Sequence, residues 1–180
     1  MFERFTKNAR RVVQDSVSIA DGGQVGTRHL LAAMVADRES RAAQVLAQVG
    51  VDEPGLAELM TAVEAADRRG GLSVADVDAL AGIGIDVDEV IDTVERNWGS
   101  GALTPRPPRV GRLESRFGAA VKRVLEQALR AAVDNGERQL DDTHLLLGLL
   151  KGDDPLAHEL AARDITYLRV RALLASNALS

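Results

Sequence analysis

The chain has no cysteine, which excludes disulfides, thiolate metal centres and cysteine nucleophiles. Aromatic residues are nearly as scarce, with three Phe, one Tyr and one Trp among 180 residues. Because 46% of the residues are hydrophobic, the core has to be built from Ala, Leu and Val, which favours packed helices over a β-sandwich. No apolar run approaches bilayer-spanning length, and the N-terminus MFERFTKNARR is too charged for a signal peptide. The expectation is a soluble cytoplasmic protein without a membrane partner. There are only three lysines, Lys7, Lys122 and Lys151, and none follows a glycine. The Gly-Lys-Ser/Thr loop that cradles nucleotide phosphates is therefore missing.

The charges that are present are unevenly placed. The net charge is −5, yet residues 50–100 hold twelve acidic and three basic side chains. A basic stretch follows at Arg106, Arg109, Arg112, Arg116, Lys122 and Arg123. A DNA-associated regulator could use such a stretch, but the chain as a whole is acidic and lacks interleaved aromatics, so nucleic acid is an unlikely partner.

The strongest signal is internal repetition. RFTKNARRVVQDSVSIA (4–20) aligns with RFGAAVKRVLEQALRAA (116–132) at an offset of 112 residues. Val12, Val13, Val17 and Ala20, and likewise Val124, Leu125, Leu129 and Ala132, recur at helical spacing. After a three-residue insertion TRHLL (27–31) meets DTHLL (142–146), placing His29 over His144. Thr27 and Asp142 are expected N-caps of a short apolar helix in each copy. LAQVGV (46–51) then lies over LAARDI (160–165), with Gly50 suited to a helix C-terminus.

A partial third echo, ALAGIGIDVDEVIDTV (79–94), repeats the end of that unit, Leu80 and Gly84 corresponding to Leu46 and Gly50. Ser73 and Asp86 are its expected caps. The segment GSGALTPRPPRVG (99–111) has linker composition. The fold class is all-α: about ten helices, as two pseudo-symmetric four-helix repeats with an extra helix pair between them. The divisions are 1–70 for the first repeat, 71–98 for the inserted pair, 99–112 for the linker and 113–180 for the second repeat.

MFERFTKNARRVV, GTRHLL and the doubled helical unit resemble the Clp N-terminal repeat domain, the recognition module of ClpC-type AAA+ unfoldases. The resemblance covers residues 1–66 and 112–175. It points to a stand-alone actinobacterial member without ATPase modules, consistent with nineteen arginines against three lysines. It implies two four-helix repeats that bind substrates or adaptor proteins of the Clp protease system. Adaptor and decoy are the two roles this implies, and sequestration of cyclic-peptide antibiotics aimed at the Clp N-domain is the alternative.

No catalytic constellation is legible, and no enzyme activity, cofactor or metal is expected. His29 and His144 could form a divided metal site, but their matching repeat positions favour a structural role at helix starts, since two imidazoles rarely suffice for a metal. Asp88, Asp92 and Glu95 share one helical face and are expected to be solvated.

The family resemblance implies two ligand regions. One is a phosphoarginine pocket, in which a carboxylate forks the guanidinium while hydroxyls and N–H groups hold the phosphate. The family's glutamate in GTEH is replaced here by Arg28 and, in the second copy, by Thr143. The phosphate-side threonine is kept as Thr6 and lost as Gly118, beside the matching Arg4 and Arg116. The other region is a groove near the N-terminus bordered by Phe2 and Phe117. The candidate ligand-binding residues are thus Phe2, Arg4, Thr6, Arg28, Phe117 and Thr143.

Overall fold

In the computed structural model, residues 4–72, 74–103 and 116–177 are described. Phe2, Ser73 and residues 104–115, which include most of the expected linker at 99–112, lie outside the described residues. Ten helices and no strands occur among those described. They are α1 (Lys7–Ile19), α2 (Thr27–Ala36), α3 (Arg41–Gln48), α4 (Glu53–Arg68), α5 (Val74–Gly82), α6 (Val87–Trp98), α7 (Ala119–Asp134), α8 (Asp142–Leu150), α9 (Pro155–Ala162) and α10 (Tyr167–Asn177).

The two repeats are α1–α4 and α7–α10. α1 buries Ala9, Val12, Val13 and Ser16, and α7 buries the matching Val121, Val124 and Ala128. Leu129, assigned by spacing to the buried face, is 45% exposed. It lies at the edge of a stripe that α8 does not fully cover. α8 is buried from Asp142 to Leu149 and forms the centre of the second repeat. Gly148 permits this, because a Cβ there would stand 2.5 Å from the Val124 carbonyl oxygen and 2.9 Å from the Ala128 nitrogen.

The same local turn chemistry closes α3, α5 and α9, and α4 and α7 as well. After α3, the Val51 N–H donates to the Leu46 carbonyl at 2.8 Å, with Gly50 at φ 85°. After α9, the Ile165 N–H donates to the Leu160 carbonyl at 2.9 Å, and after α5 the Ile85 N–H donates to the Leu80 carbonyl at 2.9 Å. This six-to-one closure needs a left-handed residue beforehand. Gly84 supplies it at φ 84°, whereas the second repeat uses Asp164 at φ 60°. Aspartate is among the few non-glycine residues that tolerate that region.

The repeats are tied together at their entries. Phe5 forms a bridge with Leu140, and Val25 forms one with Phe117. The Thr6 N–H donates to the Leu140 carbonyl at 2.9 Å, and the Leu140 N–H to the Arg4 carbonyl at 2.8 Å. In the mirror arrangement, the Val25 N–H donates to the Arg116 carbonyl at 2.7 Å and the Gly118 N–H to the Val25 carbonyl at 3.0 Å. One hydrophobic core takes residues from all eight repeat helices, from Phe5 and Val12 to Val170 and Leu174. α4 packs on α9 and α3 on α10, so each repeat is completed by the other.

The inserted pair α5–α6 stands apart from that core. Asp86 caps α6, its carboxylate accepting the Glu89 N–H at 3.1 Å. Only Val87 and Ile91 of the pair are buried. Asp88 and Asp92 are exposed as expected, Asp88 also pairing with Arg69 at 3.3 Å, whereas Glu95 is largely covered and pairs with Arg68 at 3.5 Å, so that α6 is tied to the end of α4.

Candidate ligand-binding site

The helix starts of α2 and α8 are where the two histidine phrases fall. Their caps lie one residue earlier than the sequence suggested: Gly26 and Asp141, with Thr27 and Asp142 in the first helical position. That shift frees both side chains to reach across the molecule. The Thr27 hydroxyl donates to the Asp154 carboxylate, which also caps α9 by accepting the Ala157 N–H at 3.0 Å. The Asp142 carboxylate accepts the Ala42 N–H at the start of α3, at 2.9 Å.

The histidines occupy the third helical position, where a capping box ordinarily has Glu or Gln. His29 Nδ1 accepts the Gly26 N–H at 2.9 Å, and His144 Nδ1 accepts the Asp141 N–H at 3.1 Å. Their electrostatic settings are opposite. His29 is lowered below its ordinary pKa by burial and then by the neighbouring Arg28. Burial also opposes the charge on His144, but Asp141, Glu137 and Asp142 overrule it and raise its pKa. Asp141 is itself held down at about 2, its hydrogen bonds from His144 and Thr143 outweighing the cost of burial.

Glu137, Asp141 and His144 offer three ligand-type atoms within 4.8 Å of one another. Asp141 meets the Nδ1 edge of the imidazole, at 2.9 Å, while Glu137 lies 3.7 Å from Nε2 on the other edge. The arrangement is an ion-pair and capping cluster.

The candidate site residues are distributed across the repeat boundary. Thr6 caps α1, its hydroxyl accepting the Ala9 N–H at 3.3 Å, and its backbone is joined to Leu140, just before the α8 start that carries Thr143. Gly118 is joined to Val25, just before the α2 start that carries Arg28. The neighbourhoods are thus Thr6 with Thr143 and Gly118 with Arg28, crossed relative to the pairing within each copy. No within-copy alignment could disclose this exchange.

Arg28 is exposed in the first turn of α2. Its positive charge bears on Asp67 of α4, whose pKa is raised by burial, lowered by Arg28 and raised again by Asp154 and Glu64. Thr143 is buried, and its hydroxyl donates to the Asp141 carboxylate. Arg4 is exposed, and Phe117 is half-buried against the core.

A groove of about 420 Å³ opens along α1, lined by Arg10, Val13, Gln14, Val17 and Arg116. Its floor is apolar valine and its rim carries two guanidinium groups. Sequence reading placed Val13 and Val17 on the helix's apolar face without separating the part left open. The second copy presents Leu125, Leu129 and Lys122 at the matching positions.

Residues 4–70 match the family model of the Clp repeat (R) N-terminal domain. The first repeat is thus similar to a Clp N-terminal repeat. The second four-helix unit lies outside that match, but it reproduces the first repeat's helix order, histidine cap and cross-repeat bridge. The overall fold is also similar to the crystal structure of the N-terminal domain of the caseinolytic protease associated chaperone ClpD from Arabidopsis thaliana. That likeness covers 100% of this chain and 97% of that one, at 22% identity and a TM-score of 0.53. No helix among the described residues is long and apolar enough to cross a membrane.

Proposed function

We propose that this chain is a non-catalytic peptide- and protein-binding module of the Clp protease system, acting as an adaptor or as a decoy for ligands of the unfoldase N-domain. The observation that carries this reading is the open valine groove on α1, flanked by Arg10 and Arg116. Apolar floor and cationic rim suit an extended or cyclic peptide with apolar side chains and exposed carbonyl or carboxylate oxygens. Sequestration of cyclic peptides would use the same groove.

Phosphoarginine is a poor fit for the helix-start region. Arg28 puts a cation where a guanidinium has to be held, and Thr143 is buried and engaged with Asp141. Losing a charge-assisted bidentate pair costs about 1.5–3 kcal/mol, roughly ten- to a hundredfold in affinity. Replacing Thr143 by glutamate would add a third carboxylate beside Asp141 and Asp142, so only Arg28→Glu can restore a partner without disrupting the start of α8.

Capture from lysate with the wild type and with Val17→Asp, identified by mass spectrometry, tests the groove. Clp-system proteins recovered by the wild type, lost with Val17→Asp and displaced by a competing cyclic peptide are the expected result. Equal recovery by the variant would remove the groove from the function. A cyclic peptide that binds while no Clp-system protein is recovered would favour sequestration.

A further inference from the structure

The α5–α6 hairpin combines two properties that its own fold leaves unused. α5 has no buried residue although it carries Val74, Val77 and Leu80. At the turn and on α6, Ile83 is 73% exposed, Ile85 41% and Val90 49%. An apolar surface of this extent on one helix pair marks an interaction site more often than a neutral surface. Between the helices lies a cleft of about 370 Å³, whose walls include Val77, Ala81, Ile85 and Val87, with Asp86 and Asp88 at its edge.

Charge decides what the cleft can receive. Residues 74–98 carry seven carboxylates against a single base, Arg96. Two of the seven, Asp88 and Glu95, are held by Arg69 and Arg68 on the α4 side. The excess negative charge repels nucleic acid and anionic lipid. It also opposes a second copy of the hairpin packing face to face, since like charges would meet across the contact.

We propose that the α5–α6 hairpin is a docking surface for a basic amphipathic polypeptide segment of a partner protein, apolar side chains entering the cleft and lysines or arginines meeting its acidic edge. This surface is separate from the groove on α1 and selects the opposite charge, so it goes beyond the function proposed above.

The test is fluorescence anisotropy with two labelled synthetic amphipathic helices sharing one leucine face. One carries lysine and arginine on its polar face, and the other carries glutamate. The full chain should bind the basic peptide at least about tenfold more tightly than the acidic one. Asp78→Lys/Glu89→Lys, at exposed positions, should lose at least about tenfold in affinity for the basic peptide. Ile85→Ser/Val90→Ser should weaken binding similarly, with far-UV circular dichroism confirming that helix content is kept. Val17→Asp should leave this binding unchanged, which separates it from the α1 groove. Equal affinity for the two peptides, or undiminished binding by the charge-reversed variant, would overturn the proposal. So would sedimentation showing a dimer that Ile85→Ser/Val90→Ser dissolves, because a second copy would then be the occupant.

Discussion

His29 and His144 are twins in hydrogen bonding and opposites in electrostatics. Each neutral ring's Nδ1 accepts the backbone N–H of its cap residue, but His29 has Gly26 and Arg28 beside it, while His144 has Asp141 and Glu137, and once protonated its Nδ1–H donates to Asp141 instead. Nuclear magnetic resonance titration should place His29 below the ordinary 6.5 and His144 above it. Arg28→Glu should raise His29 and leave His144 unmoved. Asp141 is stabilising where it is ionised: its contribution is complete above its ordinary 3.8 and is lost as pH falls through about 2. His144 works in the other direction, stabilising fully below 6.5 and losing that contribution as pH rises through its elevated folded value. Urea titrations should therefore show both steps in the wild type, whereas in Asp141→Asn the acid step should vanish and the His144 step should shrink, Glu137 and Asp142 still favouring its charge. Gly148 makes a second demand on a single side chain. Gly148→Ala forces a methyl against the backbone of α7, so the helices must separate at a cost of about 1–3 kcal/mol. A lowered urea midpoint with unchanged slope is the expected reading.

Among the helices, the turn after α5 is built like those after α3 and α9, yet the helix it leads into is not bound in the same way. α4 and α10 enter the shared core, whereas α6 buries only Val87 and Ile91, and α5 buries nothing. Amide hydrogen exchange should be fastest in α5, intermediate in α6 and slowest in α2 and α8, since protection follows buried contact. Equal protection of α5 and α8 would show that the hairpin is more firmly seated than its burial implies. Helix existence was legible because apolar periodicity, caps and the Leu-x₃-Gly turn recur at fixed offsets. The caps of α2 and α8 were misplaced by one residue because Thr and Asp are good caps in isolation. Tertiary partners at Asp154 and Ala42 draw them into the first turn instead. The exposed half of the α1 stripe and the pairing of Asp88 and Glu95 depend on which helices arrive from elsewhere, which periodicity does not encode.

For the whole molecule, the decisive fact is that each repeat, although α1 packs on α2 and α7 on α8, takes partners it lacks from the other. Phe5 pairs with Leu140 and Val25 with Phe117, while Thr27 and Asp142 cap or engage helices of the opposite repeat. This crossing also explains why the candidate site was only partly legible. The sequence supplied the residue types, but the neighbourhoods Thr6–Thr143 and Gly118–Arg28 exist only once the halves have exchanged contacts. Residues 1–98 and 99–180 produced as separate chains should each show little cooperative unfolding, and mixing them should restore helix content and a single transition. Independent folding of either half would refute this interdependence. The same crossing has a consequence during synthesis. A ribosome delivers Phe5 and Val25 early, but their backbone partners, Leu140 and Phe117, emerge more than ninety residues later. The nascent first repeat must therefore wait with two unpaired segments and part of its core uncovered. For that interval the growing chain exposes apolar surface that the finished protein buries.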